Sequence, residues 1–444
     1  MSPDDPTLDP LVAFWSALME QTDETARETL ERIAAAADPQ SWRRQWLRAV
    51  SQSLDAYMRS PPFLRAMSQA HRNLANSEAA KTWQRFLKPP DVAQATQSAV
   101  ATTPHRVVYE EGTLKLQYYS NDNGAALAEP VLVCFALVNR PYILDLQPDR
   151  SVIRRLLQRG FDVYLIDWGV PASSDKHLRL HDYVCRFMKN VTDFVCSHSG
   201  ATSVNLLGYC MGGTLAAMFA SLYPELVRNL VLLAAPIDFS RDESLLNVWA
   251  SEDNFNVDAL IDAYGNCPGP FLQASFQMMR PVQSFHEKFI GFVERMFDDR
   301  FLENFFGMEQ WANDSIPVAG EAFREFVKML YRQNRLVEGQ MMLNDEQIDL
   351  SKIVCPLLML TADFDHLVSP GSTLALQNHV GSRDIQHMSI DAGHIGLAVS
   401  SKAHAQLWPN AAEWLATRST PKGGQTRPSI SGHCDRPPRH DRPA

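Results

Sequence analysis

Two kinds of hydrophobic pattern divide the chain. Residues 8–87 contain few glycines, and their apolar residues recur at helical spacing, as at Trp42 and Trp46. This spacing predicts two or three amphipathic helices within an N-terminal helical region, residues 1–95. The stretch 88–104 is rich in Pro, Gln, Thr and Ala without periodicity, which is typical of a linker.

From residue 105 onward, short apolar runs alternate with helical stretches. The runs have the length and the Val, Leu, Ile and aromatic content of buried strands, and they lie at residues 107–109, 114–119, 131–135, 163–166, 204–207, 230–234 and 357–361. Helices are predicted between them at 152–159 and 214–222. The alternation predicts an α/β fold with a mostly parallel sheet.

Between two of the late strands, residues 237–350 show helical segments rich in Phe and Met instead of strands. An insertion of this length predicts a helical cap, although further helical core would give the same pattern. The core is then expected in two parts, residues 105–236 and 351–417. The Pro-, Gly- and Arg-rich residues 418–444 predict a disordered tail.

Composition excludes several classes of protein. Apolar residues make up 45% of the 444 residues and charged residues 21%, which is ordinary for a globular chain. The net charge of −10 argues against a nucleic-acid-binding protein. Seven scattered cysteines without a CxxC pair favour the reducing cytoplasm, and neither a signal peptide nor an apolar run of about 20 residues is recognisable. We therefore expect a cytoplasmic protein without a transmembrane segment.

The clearest chemical motif is Gly208-Tyr209-Cys210-Met211-Gly212, which has the form G-x-C-x-G. It stands between a predicted strand and a predicted helix, as does the nucleophile elbow of α/β hydrolases, but with Cys in place of Ser. Glycines are needed there because the backbone of the turn is crowded. Cys210 is the candidate nucleophile. The alternative is a small buried cysteine in a tight turn.

An acid and a base are available downstream. Asp363 and Asp365 both follow the run 357–361, where this fold presents its acid, and we prefer Asp365. His394 lies between glycines after a short predicted strand and is the candidate general base, the alternative being a locally packed loop histidine. His366 is expected to be structural. The chain order Cys, Asp, His is that of α/β hydrolases.

An oxyanion hole needs N–H donors beside the nucleophile. The N–H of Met211, directly after Cys210, is one candidate. The N–H of Val138, in the loop after an early strand, is the other, unless that loop is merely a turn. The His and Cys residues show no metal-ligand spacing, and no phosphate-binding loop is present, so neither a metal nor a nucleotide cofactor is expected.

A cysteine nucleophile suits acyl transfer from coenzyme A, because a thiol that attacks a thioester forms another thioester of similar reactivity. The next acceptor would be a hydroxyl, which a base must deprotonate in place. A cap rich in Phe and Met would exclude water from this step.

Taken together, these motifs resemble the polyhydroxyalkanoate synthases over roughly residues 105–415. The resemblance is carried by ALVNRPYILDL (136–146), YLIDWG (164–169), GYCMGG (208–213), AAPIDF (234–239), DHLVSP (365–370) and GHIG (393–396). It implies an α/β-hydrolase-fold enzyme that polymerises (R)-3-hydroxyacyl-coenzyme A into polyester at a granule surface and releases coenzyme A. It also implies that Cys210 holds the growing polyester chain, that His394 activates Cys210, and that Asp365 orients His394 or assists the acceptor hydroxyl.

The sequence of the 136–146 motif is most similar to that of the short catalytic subunits that act with a second synthase subunit. The resemblance therefore implies a possible second subunit and a homodimer, and no cofactor. Two other functions stay open, namely a thioesterase or esterase and a non-catalytic granule-associated scaffold. The apolar N-terminal residues could contact a granule, a partner or the chain's own core, and they include Trp15, Trp42, Trp46, Tyr57 and Met58.

Overall fold

The computed structural model describes residues 56–61, 63–64, 100–121, 124–241, 244–279 and 298–422. Most of the predicted N-terminal helical region, including Trp15, Trp42 and Trp46, lies outside the described residues. So do residues 280–297 of the predicted cap and nearly all of the predicted tail. The division of the chain into these regions therefore stays a prediction.

The described strands are, in chain order, β1 (Arg106–Glu111), β2 (Leu114–Tyr119), β3 (Val131–Cys134), β4 (Asp145–Gln147), β5 (Arg150–Ser151), β6 (Val163–Asp167), β7 (Val204–Tyr209), β8 (Val227–Leu233), β9 (Met342–Leu343), β10 (Glu346–Gln347), β11 (Leu357–Ala362) and β12 (Ile385–Ile390). Every strand that the apolar runs predicted is present. The short pairs β4–β5 and β9–β10 were not predicted.

Eight strands of the described chain form one sheet in the order β1-β2-β6-β3-β7-β8-β11-β12. β2 is antiparallel to both neighbours, and all other adjacent pairs are parallel. The prediction of a mostly parallel sheet is confirmed. All positions of β7 and β11 are buried, as expected for central strands that are covered by helices on both faces.

The described α-helices are α1 (Val152–Gln158), α2 (Lys189–Ser199), α3 (Met211–Leu222), α4 (Leu245–Ala250), α5 (Val257–Tyr264), α6 (Gly269–Met279), α7 (Asp299–Asn313), α8 (Gly320–Glu325), α9 (Pro370–Leu374), α10 (Gly396–Val399) and α11 (Trp408–Arg418). π-Helical stretches precede α2, follow α8 and precede α11. α3 is mostly apolar and buried from Met211 to Ser221, because it packs on β7 and β8 inside the core.

Residues 237–350, here called the helical insertion, carry α4 to α8 between β8 and β11. The insertion is fixed to the core by hydrogen bonds. Glu325 accepts from the N–H of Leu180 at 2.8 Å and from Nε of Arg179 at 2.5 Å. Trp311 Nε1 donates to the carbonyl of Arg140 at 2.8 Å. That the insertion acts as a cap over the site stays a prediction.

A second apolar cluster joins the N-terminal region to the helical insertion. It is built by Met58, Leu245, Trp249 and Met279, and we call it the Met58 cluster. Leu367, in the loop after β11, packs against it. The apolar N-terminal residues were expected to contact a granule, a partner or the chain's own core. Met58 contacts other residues of the chain itself.

Candidate active site

Cys210 lies at the sharp turn between β7 and α3. Its φ of 54° and ψ of −128° are unusual for a residue with a side chain. The turn is held by a 2.9 Å hydrogen bond from the N–H of Cys210 to the carbonyl of Leu233 in β8. Hydrogen bonding to β8 thus stabilises the strained turn. The side chain of Cys210 lies at the carboxyl edge of the sheet.

The flanking glycines are required by close approach. A Cβ at Gly208 would lie 2.5 Å from the Cα of Gly213. A Cβ at Gly212 would overlap the carbonyl oxygens of Cys134 and Phe135. The G-x-C-x-G motif therefore brings the start of α3 directly against the end of β3, where the loop that contains the Val138 candidate begins.

The acid and base candidates come from neighbouring parallel strands, which bring their carboxyl ends to the same edge of the sheet. Asp365 follows β11 and His394 follows β12. The Oδ2 atom of Asp365 lies 2.7 Å from Nδ1 of His394. Its Oδ1 atom accepts from the N–H groups of Leu367 and Val368, each at 2.9 Å. Both carboxylate oxygens of Asp365 are therefore engaged.

Cys210 is near enough to act on His394, because its side chain is one of the causes that raise the pKa of His394. Since Asp365 uses Nδ1, the Nε2 edge of the ring is left for the sulfur. The structure thus brings Cys210, His394 and Asp365 together in one chain of contacts. Among the described residues, the competing Asp363 makes no hydrogen bond to His394, and its side chain is exposed. The catalytic roles of these residues stay predictions.

The electrostatics of the three residues are coupled. Burial lowers the pKa of His394, but the negative charges of Asp365 and Cys210 and hydrogen bonds to both raise it to about 10. Burial raises the pKa of Asp365, but His394 and the two backbone N–H groups more than offset this and lower it. An imidazolium at position 394 is therefore stabilised on both sides.

Tyr209 is a site residue that the sequence reasoning missed. Its ring stacks on that of His394, with centroids 5.2 Å apart and planes at 19°. Its hydroxyl donates to the carbonyl of His394 at 3.1 Å. Burial raises the pKa of Tyr209 well above its usual value, so the hydroxyl keeps its proton and stays a donor. Tyr209 therefore fixes both the ring and the backbone of the base. Its position directly before Cys210 was the available signal.

The two oxyanion-hole candidates lie on the elements that meet at Cys210. Met211 is the first residue of α3, and Val138 is half-buried in the loop that follows β3. Within the described part of the chain, neither N–H donates to a protein acceptor. Their role as an oxyanion hole stays a prediction.

Other kinds of site were also considered. Among the described residues, no group of three or more His, Cys, Asp and Glu side chains could hold a metal ion. In the same ranges, no helix combines the length and the apolarity that crossing a bilayer requires.

Comparison with protein families gives two matches. Residues 129–400 match the alpha/beta hydrolase fold, which confirms the predicted fold class. Residues 89–156 match the N-terminus of poly-beta-hydroxybutyrate polymerase (PhaC). The second match spans part of the predicted linker and the loop that contains Val138.

Several relatives carry the name poly(3-hydroxyalkanoate) polymerase subunit PhaC. The protein from Haloferax mediterranei is 44% identical over 77% of this chain and 70% of its own. The protein from Haloarcula marismortui is 42% identical over 77% of this chain and 76% of its own length. The protein from Allochromatium vinosum is 37% identical over 80% of this chain and 95% of its own length. The chain therefore belongs to the family of poly(3-hydroxyalkanoate) polymerase PhaC subunits.

Proposed function

We propose that this chain polymerises (R)-3-hydroxyacyl-coenzyme A into polyester and releases coenzyme A through an acyl group bound to Cys210. The observation that carries the proposal is the buried His394, which hydrogen-bonds to Asp365 and whose pKa is raised by both Asp365 and Cys210. The names of the relatives support the polymerase activity and the substrate class.

In the first step, the Cys210 thiolate attacks the carbonyl carbon of the substrate thioester. A new carbon–sulfur bond forms, and the bond to the sulfur of coenzyme A breaks. With a pKa of about 10, His394 is protonated at neutral pH and can give its proton to the leaving thiolate. The N–H groups of Met211 and Val138 would stabilise the oxyanion that forms in between.

In the second step, the hydroxyl that accepts the acyl group must lose its proton. Acylation removes the negative charge of Cys210, which is one of the causes of the raised pKa of His394. The pKa of His394 therefore falls in the acyl-enzyme, and the neutral imidazole can take the proton of the hydroxyl. The ester bond forms, and the Cys210 thiolate leaves. Because both of its oxygens are engaged, Asp365 is better suited to orienting His394 than to binding the hydroxyl.

The wider setting is part of the same proposal. The helical insertion would act as a cap that keeps water from the acyl group. The relatives are named as subunits, which supports action with a second synthase subunit. A homodimer in the cytoplasm, bound to the surface of polyester granules, completes the proposed arrangement.

The decisive experiment follows the release of coenzyme A from 3-hydroxybutyryl-coenzyme A and examines the product for polymer. Cys210→Ala should slow the release by roughly 10³-fold or more, because the step then lacks its nucleophile. Cys196→Ala is the matched control, since this half-buried cysteine lies in α2, outside the site. The wild type and the control should both form insoluble polyester.

Each alternative function has its own outcome. Release of monomeric hydroxy acid without polymer would identify a thioesterase and refute the synthase proposal. Release that is unchanged in Cys210→Ala would remove Cys210 from the chemistry and favour the scaffold. Release that begins only when a second synthase subunit is added would support the two-subunit arrangement.

A further inference from the structure

The loop that contains Val138 is anchored to the core at its start. Trp168 Nε1 donates to the carbonyl of Phe135 at 2.9 Å, and the Phe135 ring packs edge-on against Tyr209 with centroids 5.5 Å apart. Gly212 lies directly against the same carbonyl. The first residue after β3 is therefore fixed by the elements that build the Cys210 turn.

The same loop is anchored a second time, and this anchor comes from the helical insertion. Trp311, at the end of α7, is almost fully buried and donates to the carbonyl of Arg140 at 2.8 Å. Asp314 lies 3.4 Å from Nε of Arg140, and Ser315 Oγ lies 3.4 Å from Oδ1 of Asn139. The last two contacts are longer, so the 2.8 Å bond of the buried Trp311 side chain is the strongest of the three.

Val138 lies between these two anchors, two residues before Arg140. We propose that Trp311 is a positioning residue, which holds the N–H of Val138 where the oxyanion forms and so couples the helical insertion to acyl transfer. The proposal rests on the acyl-transfer function proposed above. Its physical basis is that an oxyanion-hole donor acts only if its position is fixed before the reaction.

The test removes the N–H donor of Trp311, and a control variant accounts for the accompanying loss of ring volume. Trp311→Phe keeps an aromatic ring in the buried position but cannot donate to Arg140. Trp414→Phe makes the same chemical change in α11, where the indole Nε1 is also buried but has no hydrogen-bond partner among the described residues. The two variants therefore lose similar volume, and only Trp311→Phe loses a hydrogen bond.

Two reactions of Cys210 distinguish a displaced Val138 N–H from a general disturbance of the site. Acylation by 3-hydroxybutyryl-coenzyme A passes through an oxyanion, whereas alkylation by iodoacetamide displaces iodide and forms none. In Trp311→Phe, single-turnover release of coenzyme A should slow by about 10- to 100-fold, with alkylation within about twofold of the wild type. Trp414→Phe should change neither rate, and both variants should keep the circular dichroism spectrum of the wild type.

Two results would overturn the proposal. One is an acylation rate in Trp311→Phe equal to that in Trp414→Phe. The other is an equal slowing of acylation and alkylation, which would indicate a disturbed nucleophile instead of a displaced N–H. A wild type that acylates Cys210 but makes no polymer would refute the proposed function alone, because the comparison of acylation rates would still stand.

Discussion

Asp363 and Asp365 stand two residues apart, but their carboxylates have different surroundings. The side chain of Asp365 is fully buried, and its oxygens are shared between His394 and two backbone N–H groups. Asp363 is exposed. A buried carboxylate in contact with an imidazole stabilises the imidazolium, whereas an exposed one two residues away is screened by water.

These surroundings predict different effects for the same substitution. Asp365→Asn should lower the pKa of His394 from about 10, because a negative charge that raises it is lost. It should also slow the release of coenzyme A by about 100-fold or more. Asp363→Asn, the matched control, should leave both nearly unchanged. An NMR titration of the His394 ring together with kcat measures both effects, and similar results for the two variants would refute the assignment.

The motif residues of the site could be predicted from the sequence, because local backbone geometry dictates them. Gly208 and Gly212 are required by contacts within one turn, so G-x-C-x-G is readable without a structure. The role of Tyr209 could not be predicted, since its partner His394 is distant in the chain. The bond between Trp311 and Arg140 was invisible for the same reason.

At the scale of elements, the central strands were the easiest to predict. They are buried on both faces, so each appears as an unbroken apolar run. β12 lies at the edge of the sheet and mixes exposed polar with buried residues, so only a short strand was expected before His394. The two-residue pairs β4–β5 and β9–β10 are too short to produce a pattern at all.

The N-terminal region was the least predictable element, because an apolar helix face does not reveal its partner. The Met58 cluster shows that one part of this region packs with α4 and α6, and Leu367, in the loop that carries Asp365, packs against the same cluster. Met58 is 4% exposed, whereas Met278, which lies on α6, is 36% exposed. The contact therefore links the N-terminal region to the helical insertion.

This contact predicts a difference between two methionines. Met58→Ala should leave a cavity and lower the free energy of unfolding by about 2 kcal/mol, and so lower Tm by several degrees. Met278→Ala, the control, should change it by less than about 0.5 kcal/mol, because an exposed side chain buries little surface. Thermal unfolding of both variants measures the difference. Equal effects would mean that the Met58 cluster does not stabilise the protein.

At the scale of the whole molecule, the carboxyl ends and the amino ends of the sheet strands differ in what they hold. The carboxyl edge carries Cys210 and its partners. At the amino edge, a buried hydrogen-bond network joins β7 to β8 and to the residue after α11. Asn205 receives a 2.6 Å bond from Asn229 and donates to Ser419 at 3.0 Å. The strained turn at Cys210 is thus built on strands that are also tied at their opposite ends.

Two buried histidines have pKa values shifted in opposite directions. His404 lies between α10 and α11, and its Nε2 contacts the carbonyl of Ala398 at 2.7 Å. Burial, helped by Arg155 and Arg150, lowers the pKa of His404 to about 4. The pKa of His394 is raised to about 10. A histidine in the unfolded chain titrates near 6.5.

The signs of these shifts predict how stability depends on pH. His404 stabilises the fold fully above about pH 6.5, and its contribution is lost as the pH falls to about 4, because the unfolded chain binds the proton first. The contribution of His394 is complete below about pH 6.5 and is lost as the pH rises to about 10. These two residues together therefore favour maximal stability near pH 6.5.

Thermal unfolding between pH 4 and pH 10 tests this for the wild type, His404→Gln and His394→Gln. Gln cannot titrate, so His404→Gln should lose part of the fall in Tm on the acid side, and His394→Gln part of the fall on the alkaline side. Each variant serves as the control for the other. Curves that stay parallel to the wild type over the whole range would show that neither histidine links protonation to folding, because linkage requires different proton affinities in the folded and unfolded states.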